Sequence, residues 1–153
     1  MYLRSVLVIL FLLLALSAPA VGQLRSVTSG RSEPPSANEA IRATPAYAEI
    51  VLRRAELESS IEELLVTYKE EFPKVKAARF ELGLIEADLA ALAGLNDSEA
   101  GKLTLALGKL IVRRAQLAAE YRAVSNRYND EHPATKKAKR KFEIFDRAVK
   151  DIL

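Results

Sequence analysis

Two arginine pairs, Arg53-Arg54 and Arg113-Arg114, and one dense basic run are the residues of this chain best suited to chemistry. A planar guanidinium holds a phosphate or carboxylate through two parallel hydrogen bonds, so each pair is a candidate contact for an anion or an acidic partner. Arg54 and Arg114 fall on the apolar stripe of their predicted helices. A single polar residue on such a stripe fixes the alignment of packed helices at some cost in stability. Register control is therefore the favoured role, with anion binding as the functional alternative. The basic run Thr135-Lys-Lys-Ala-Lys-Arg-Lys141 supplies Lys136, Lys137, Lys139, Arg140 and Lys141. Ala138 faces the stripe, so the cations occupy the remaining faces. They suit an anionic envelope polymer or surface, or simply a solvated face. No aromatic residues interleave with them for base stacking, and the formal net charge is +3, to which Arg4 near the N-terminus contributes. Nucleic acid is not an expected partner.

Other chemistry is hard to assemble from this sequence. His132 is the single histidine, and no carboxylates or cysteines surround it at ligand spacing. The chain lacks a glycine-rich phosphate loop and a serine in a nucleophile-elbow setting. Its glutamates are spaced as surface charges on helices. No catalytic residue, no metal and no cofactor is expected, and the protein reads as non-catalytic.

The elements that must position the arginines repeat themselves. At an offset of sixty residues and without gaps, Arg53-Arg54-Ala55-Glu56-Leu57 lies on Arg113-Arg114-Ala115-Gln116-Leu117. Tyr68-Lys-Glu-Glu-Phe-Pro73 lies on Tyr128-Asn-Asp-Glu-His-Pro133 in the same register. The apolar stripe matches as well. Tyr47, Ile50, Arg54, Leu57, Ile61, Leu64 and Tyr68, then Val75, Ala78, Leu82, Ile85, Leu89 and Leu92, form the first copy. Leu107, Leu110, Arg114, Leu117, Tyr121, Val124 and Tyr128, then Thr135, Ala138, Phe142, Phe145, Val149 and Ile152, form the second. Spacings of three and four alternate within each segment, which is the narrow stripe of a coiled-coil-like helix. Composition agrees, with 50% apolar and 28% charged residues dominated by helix formers.

Proline decides the geometry of each unit. It lacks an N–H and pushes the preceding residue out of the helical region, which favours a break before Pro73 and Pro133. The stripe nevertheless passes each proline in phase, as it would in a kinked continuous helix. The fold expected is all-α: two tandem helix–Pro–helix units, forming either an antiparallel coiled-coil-like hairpin or a four-helix bundle.

The remaining segments set the organisation. Residues 1–22 read as a cleaved signal peptide: Arg4, an apolar core from Val6 to Leu16, then small residues from Ser17 to Gly22. That core is short of the ~20 residues a membrane span needs. No transmembrane segment is expected after cleavage, and the location expected is periplasmic or secreted. With no cysteine, stability must come from helix packing or self-association rather than disulfides. Residues 23–43 read as a flexible linker, 44–93 as the first unit, 94–98 as a turn and 99–153 as the second unit. Thr44-Pro45 is a helix start, Gly94 a helix end, and Asp97 or Ser98 the next N-cap.

The element Tyr68-x-x-Glu-Phe-Pro73, matched by Tyr128-x-x-Glu-His-Pro133, resembles a passage of bacterial polysaccharide chain-length determinant proteins. The likeness covers about 25 residues per unit, and it implies a helical module of the cell envelope. That family carries two flanking transmembrane helices, whereas no second hydrophobic segment is seen in this sequence, and Phe72 stands where the histidine would. The function expected is a helical scaffold or interaction protein with a protein partner, possibly a second copy of itself. A small periplasmic helical chaperone and an accessory of polysaccharide assembly or export are the alternatives.

Overall fold

The computed structural model describes residues 37–153. The expected leader and the first part of the expected linker lie outside them. The described chain runs through α1 (Ala37–Arg42), α2 (Pro45–Thr67), α3 (Pro73–Ala93), a 3₁₀ helix (Asp97–Lys102), α4 (Leu105–Ser125) and α5 (Pro133–Lys150), and it contains no strand. The fold is all-helical, with packed helices in a bundle-like arrangement.

Local chemistry starts each long helix. Thr44, extended at φ −76° and ψ 148°, places its hydroxyl oxygen 3.3 Å from the donating Tyr47 N–H, and Pro45 takes the first helical position. Thr104 repeats this at α4, accepting from the Leu107 N–H at 3.3 Å. Pro73 and Pro133 open α3 and α5. Before them, Phe72 (φ −60°, ψ 132°) and His132 (φ −65°, ψ 136°) are extended, as a residue preceding proline must be. The chain therefore breaks at both prolines rather than kinking. Each corner carries a ring stack: Tyr68 on Phe72, with centroids 4.0 Å apart, and Tyr128 on His132 at 4.2 Å.

Interhelical contacts give the direction of each helix. Arg53 meets Glu81 across α2 and α3, and Arg114 meets Asp88 across α3 and α4. Lys141 reaches Glu120 across α4 and α5 at 3.4 Å. Each of these neighbouring pairs is antiparallel, so α2 and α4 run the same way and both proline corners lie at one end. α2, α3 and α4 pack against one another, and α5 lies along α4. Ile50, Leu57, Ile85, Leu89, Leu107, Ile111 and Val149 are buried in the shared core. Close approach of α2 and α4 needs Gly108, because a Cβ there would stand 2.9 Å from the Ala46 Cα.

Three expectations change. The linker does not run to residue 43: Ala37–Arg42 is helical, and Ile41 is fully buried in the core. The Thr44 hydroxyl, donating to the Ile41 carbonyl at 2.7 Å, ties this short helix to the start of α2. Ile41 is the one large apolar residue among these six, too few for a periodicity, so the segment carries no helical stripe to read. The turn at 94–98 is also longer, and α4 begins at Leu105 rather than near 99. Asn96 instead precedes the 3₁₀ helix, and the Leu103 carbonyl accepts from the Ala46 N–H at 3.2 Å. Lastly, Tyr68, Tyr128 and Ile152 of the expected stripe are exposed, because each lies past the last turn of its helix.

Candidate functional site

The two arginine pairs, identical in sequence, are used differently. Arg53, not Arg54, crosses to α3, donating from Nε and Nη2 to Glu81 Oε1 at 2.9 and 2.7 Å and from Nη1 to Glu56 Oε2 at 3.0 Å. Burial works against the charge on Arg53, but its hydrogen bonds to Glu81 and Glu56 and their negative charge outweigh it, holding its pKa above the ordinary value. Arg54 stays on its own helix, 3.6 Å from Glu58. In the second pair the roles reverse. Arg114 donates to Asp88 of α3 and lies 3.8 Å from Asp146 of α5, whereas exposed Arg113 bonds Gln116 beside it. Glu81 and Asp88 are seven residues apart on α3 and so share one face. Arg53 and Arg114 are thereby committed to interhelical carboxylates, which is the geometry of alignment.

Glu81 also corrects the reading of every glutamate as a surface charge, since it is among the buried residues. Burial is sustained by the two hydrogen bonds from Arg53; an unpaired carboxylate there would be costly.

α3 and α5 flank α4 without closing over it, leaving a groove of about 500 Å³. Phe80 and Leu84 of α3 form one wall and Phe142 of α5 the other, with Ala115, Ala118 and Tyr121 of α4 as the floor. The Tyr121 and Phe142 rings lie 6.5 Å apart and nearly parallel. Arg122 places its guanidinium carbon 4.1 Å from the centre of the Phe80 ring, covering an aromatic face with charge. The Arg114–Asp146 pair borders the same space. Tyr121 and Phe142 were on the apolar stripe, but Phe80 and Arg122 were not. Their signal lies in the tertiary arrangement that leaves α3 and α5 apart.

The basic run is split by pairing. Lys136 binds Glu131, Lys139 lies 3.9 Å from Glu143, and Lys141 reaches Glu120. Lys137 and Arg140 have no carboxylate partner among the described residues, and neither has Arg147, two turns further on the same helix. Arg147 lies outside the basic run, and its spacing of seven from Arg140 is the sequence signal that places it on the same face.

His132 stacks on Tyr128 and accepts at Nδ1 from the Ala134 N–H at 3.1 Å, so it serves as the N-cap of α5. Among the described residues no group of histidine, cysteine or carboxylate side chains could hold a metal ion, and no helix is long and apolar enough to cross a membrane. Comparison with protein families, curated proteins and solved structures finds no match to this chain.

Proposed function

We propose that this is a non-catalytic helical interaction protein of the bacterial envelope, exported by a cleaved leader, which receives a helix of a partner polypeptide in the groove between α3 and α5. The observation that carries the reading is the groove itself. Its walls are aromatic and its floor is made small by Ala115 and Ala118, so the large apolar side chains of one helix face can enter. The fixed charges beside it, Arg114 with Asp146 and Arg122 over Phe80, give orientation rather than catalysis. The identities at an offset of sixty residues support reading α2–α3 and α4–α5 as two copies of one coiled-coil-like unit. The proline-corner likeness to polysaccharide chain-length determinants supports the envelope setting.

In-cell photocrosslinking from Arg122 tests this reading. The expected result is a discrete adduct with a second polypeptide, lost when Ala118→Phe fills the floor. Adducts confined to the chain itself, or unaffected by Ala118→Phe, would refute it. The chaperone alternative predicts suppression of aggregation of an unfolded outer-membrane protein at near-equimolar ratio. The export-accessory alternative predicts capture of a polysaccharide-assembly component in the same crosslinking.

A further inference from the structure

The outer face of α5 is distinct from the groove and has its own chemistry. Lys137, Arg140, Ile144 and Arg147 follow one another at spacings of three, four and three, so they form one stripe along the helix. Thr135, Ala138 and Val149 are buried on the opposite side, where α5 lies along α4. The helix's two carboxylates are both engaged: Glu143 with Lys139, and Asp146 with Arg114 and, at 2.7 Å, Lys150. Exposed Asp151 caps the end of the helix four residues past Arg147, and Glu143 flanks the stripe, so the stripe carries a net positive charge; its three cations have no carboxylate partner among the described residues. Amid them, Ile144 is 64% exposed.

Cations alone would suit any polyanion. An exposed isoleucine set among them gains nothing from a hydrated sugar polymer, but it gains by entering the boundary between lipid headgroups and acyl chains. Charge complementarity and this apolar centre select the same occupant. We propose that the outer face of α5 docks this protein flat on an anionic lipid bilayer, with Lys137, Arg140 and Arg147 meeting lipid phosphates and Ile144 entering the boundary layer. The proposal goes beyond the groove reading and does not depend on it.

The mature chain, residues 23–153, is incubated with vesicles of phosphatidylcholine alone, or of equal parts phosphatidylcholine and phosphatidylglycerol, and the bound fraction is read by sedimentation. Each cation near such a surface strengthens binding roughly fivefold, so three give a preference on the order of a hundredfold for the anionic vesicles at low salt. Replacing all three with glutamine should remove most of that preference while leaving binding to neutral vesicles unchanged. Because the chain has no cysteine, an environment-sensitive dye can be placed at Ile144→Cys and, as a control, at exposed Leu52→Cys on α2. Anionic vesicles should shift the dye at 144 to the blue and leave that at 52 unmoved. An undiminished preference in the triple variant would overturn the proposal. So would a silent dye at 144, even if dextran sulfate bound through the same cations, which would assign the face to a soluble polyanion.

Discussion

Glu81 of α3 accepts two hydrogen bonds from Arg53 of α2, and the carboxylate side chain retains 11% exposure against 23% for the guanidinium. The neighbouring Arg54 makes no comparable interhelical bond. Removing one member of a charged hydrogen-bonded pair costs about 1–3 kcal/mol when the other is left unsatisfied. Here Arg53 keeps Glu56 and some solvent, so Glu81→Ala should cost about 1–2 kcal/mol. Arg54→Gln should stay within about 0.5 kcal/mol. Urea midpoints followed by circular dichroism separate the two, and equal losses would contradict the assignment of alignment to Arg53.

Gly108 and Gly83 are both helical, and they should respond to alanine with opposite signs. At Gly108 the new Cβ meets the Ala46 Cα at 2.9 Å and its carbonyl oxygen at 3.0 Å, so backbone must move. Overpacking of this kind costs about 1–3 kcal/mol, against a helix-propensity gain of up to about 1. At Gly83 nothing lies within 4 Å, so Gly83→Ala should stabilise by about 0.5–1 kcal/mol. Thermal melts of the two variants check the pair, and a stabilised Gly108→Ala would show that α2 and α4 are not in close contact.

Much of the architecture was legible in the sequence for a physical reason. Threonine caps at α2 and α4, prolines at the first helical positions of α2, α3 and α5, and a stripe of three-and-four spacing are local signals, and each long helix carries at least one start signal. The break at Pro73 and Pro133 followed from the same backbone chemistry. What was not legible depends on tertiary partners. Arg53 and Arg54 differ in sequence by a single step, and only the placement of Glu81 decides which of them crosses to α3. The groove is likewise a property of how far α3 and α5 stand apart on α4, which no helical periodicity encodes. Ile41 is the third case: its burial comes from docking on other elements, not from any pattern of its own.

Ile41 is fully buried within a helix of only six residues. Truncating a buried isoleucine to alanine costs about 2–5 kcal/mol. The short helix can relax in part, so Ile41→Ala should lose about 2–3 kcal/mol in urea unfolding. A loss below about 0.5 kcal/mol, the range of surface substitutions, would return residues 37–43 to the linker.

Pro73 pre-sets the first turn of α3 but does not by itself hold α2 and α3 antiparallel; the Arg53–Glu81 pair and the buried Leu57 and Ile85 do that. Pro73→Ala should therefore lower stability by about 0.4–1 kcal/mol, through a freer unfolded chain, with helix content unchanged. Circular dichroism with light scattering checks this. Increased helicity together with a larger particle would mean that α2 and α3 had fused into one long helix.

The groove between α3 and α5 is proposed to receive a partner polypeptide. Its most direct test is the in-cell photocrosslink from Arg122, compared with the same crosslinker at exposed Leu52 of α2 and with Ala118→Phe added. One discrete adduct is expected from position 122, absent from position 52 and abolished by filling the groove floor. Adducts from 122 that contain only this chain, or that persist unchanged with Ala118→Phe, would contradict it.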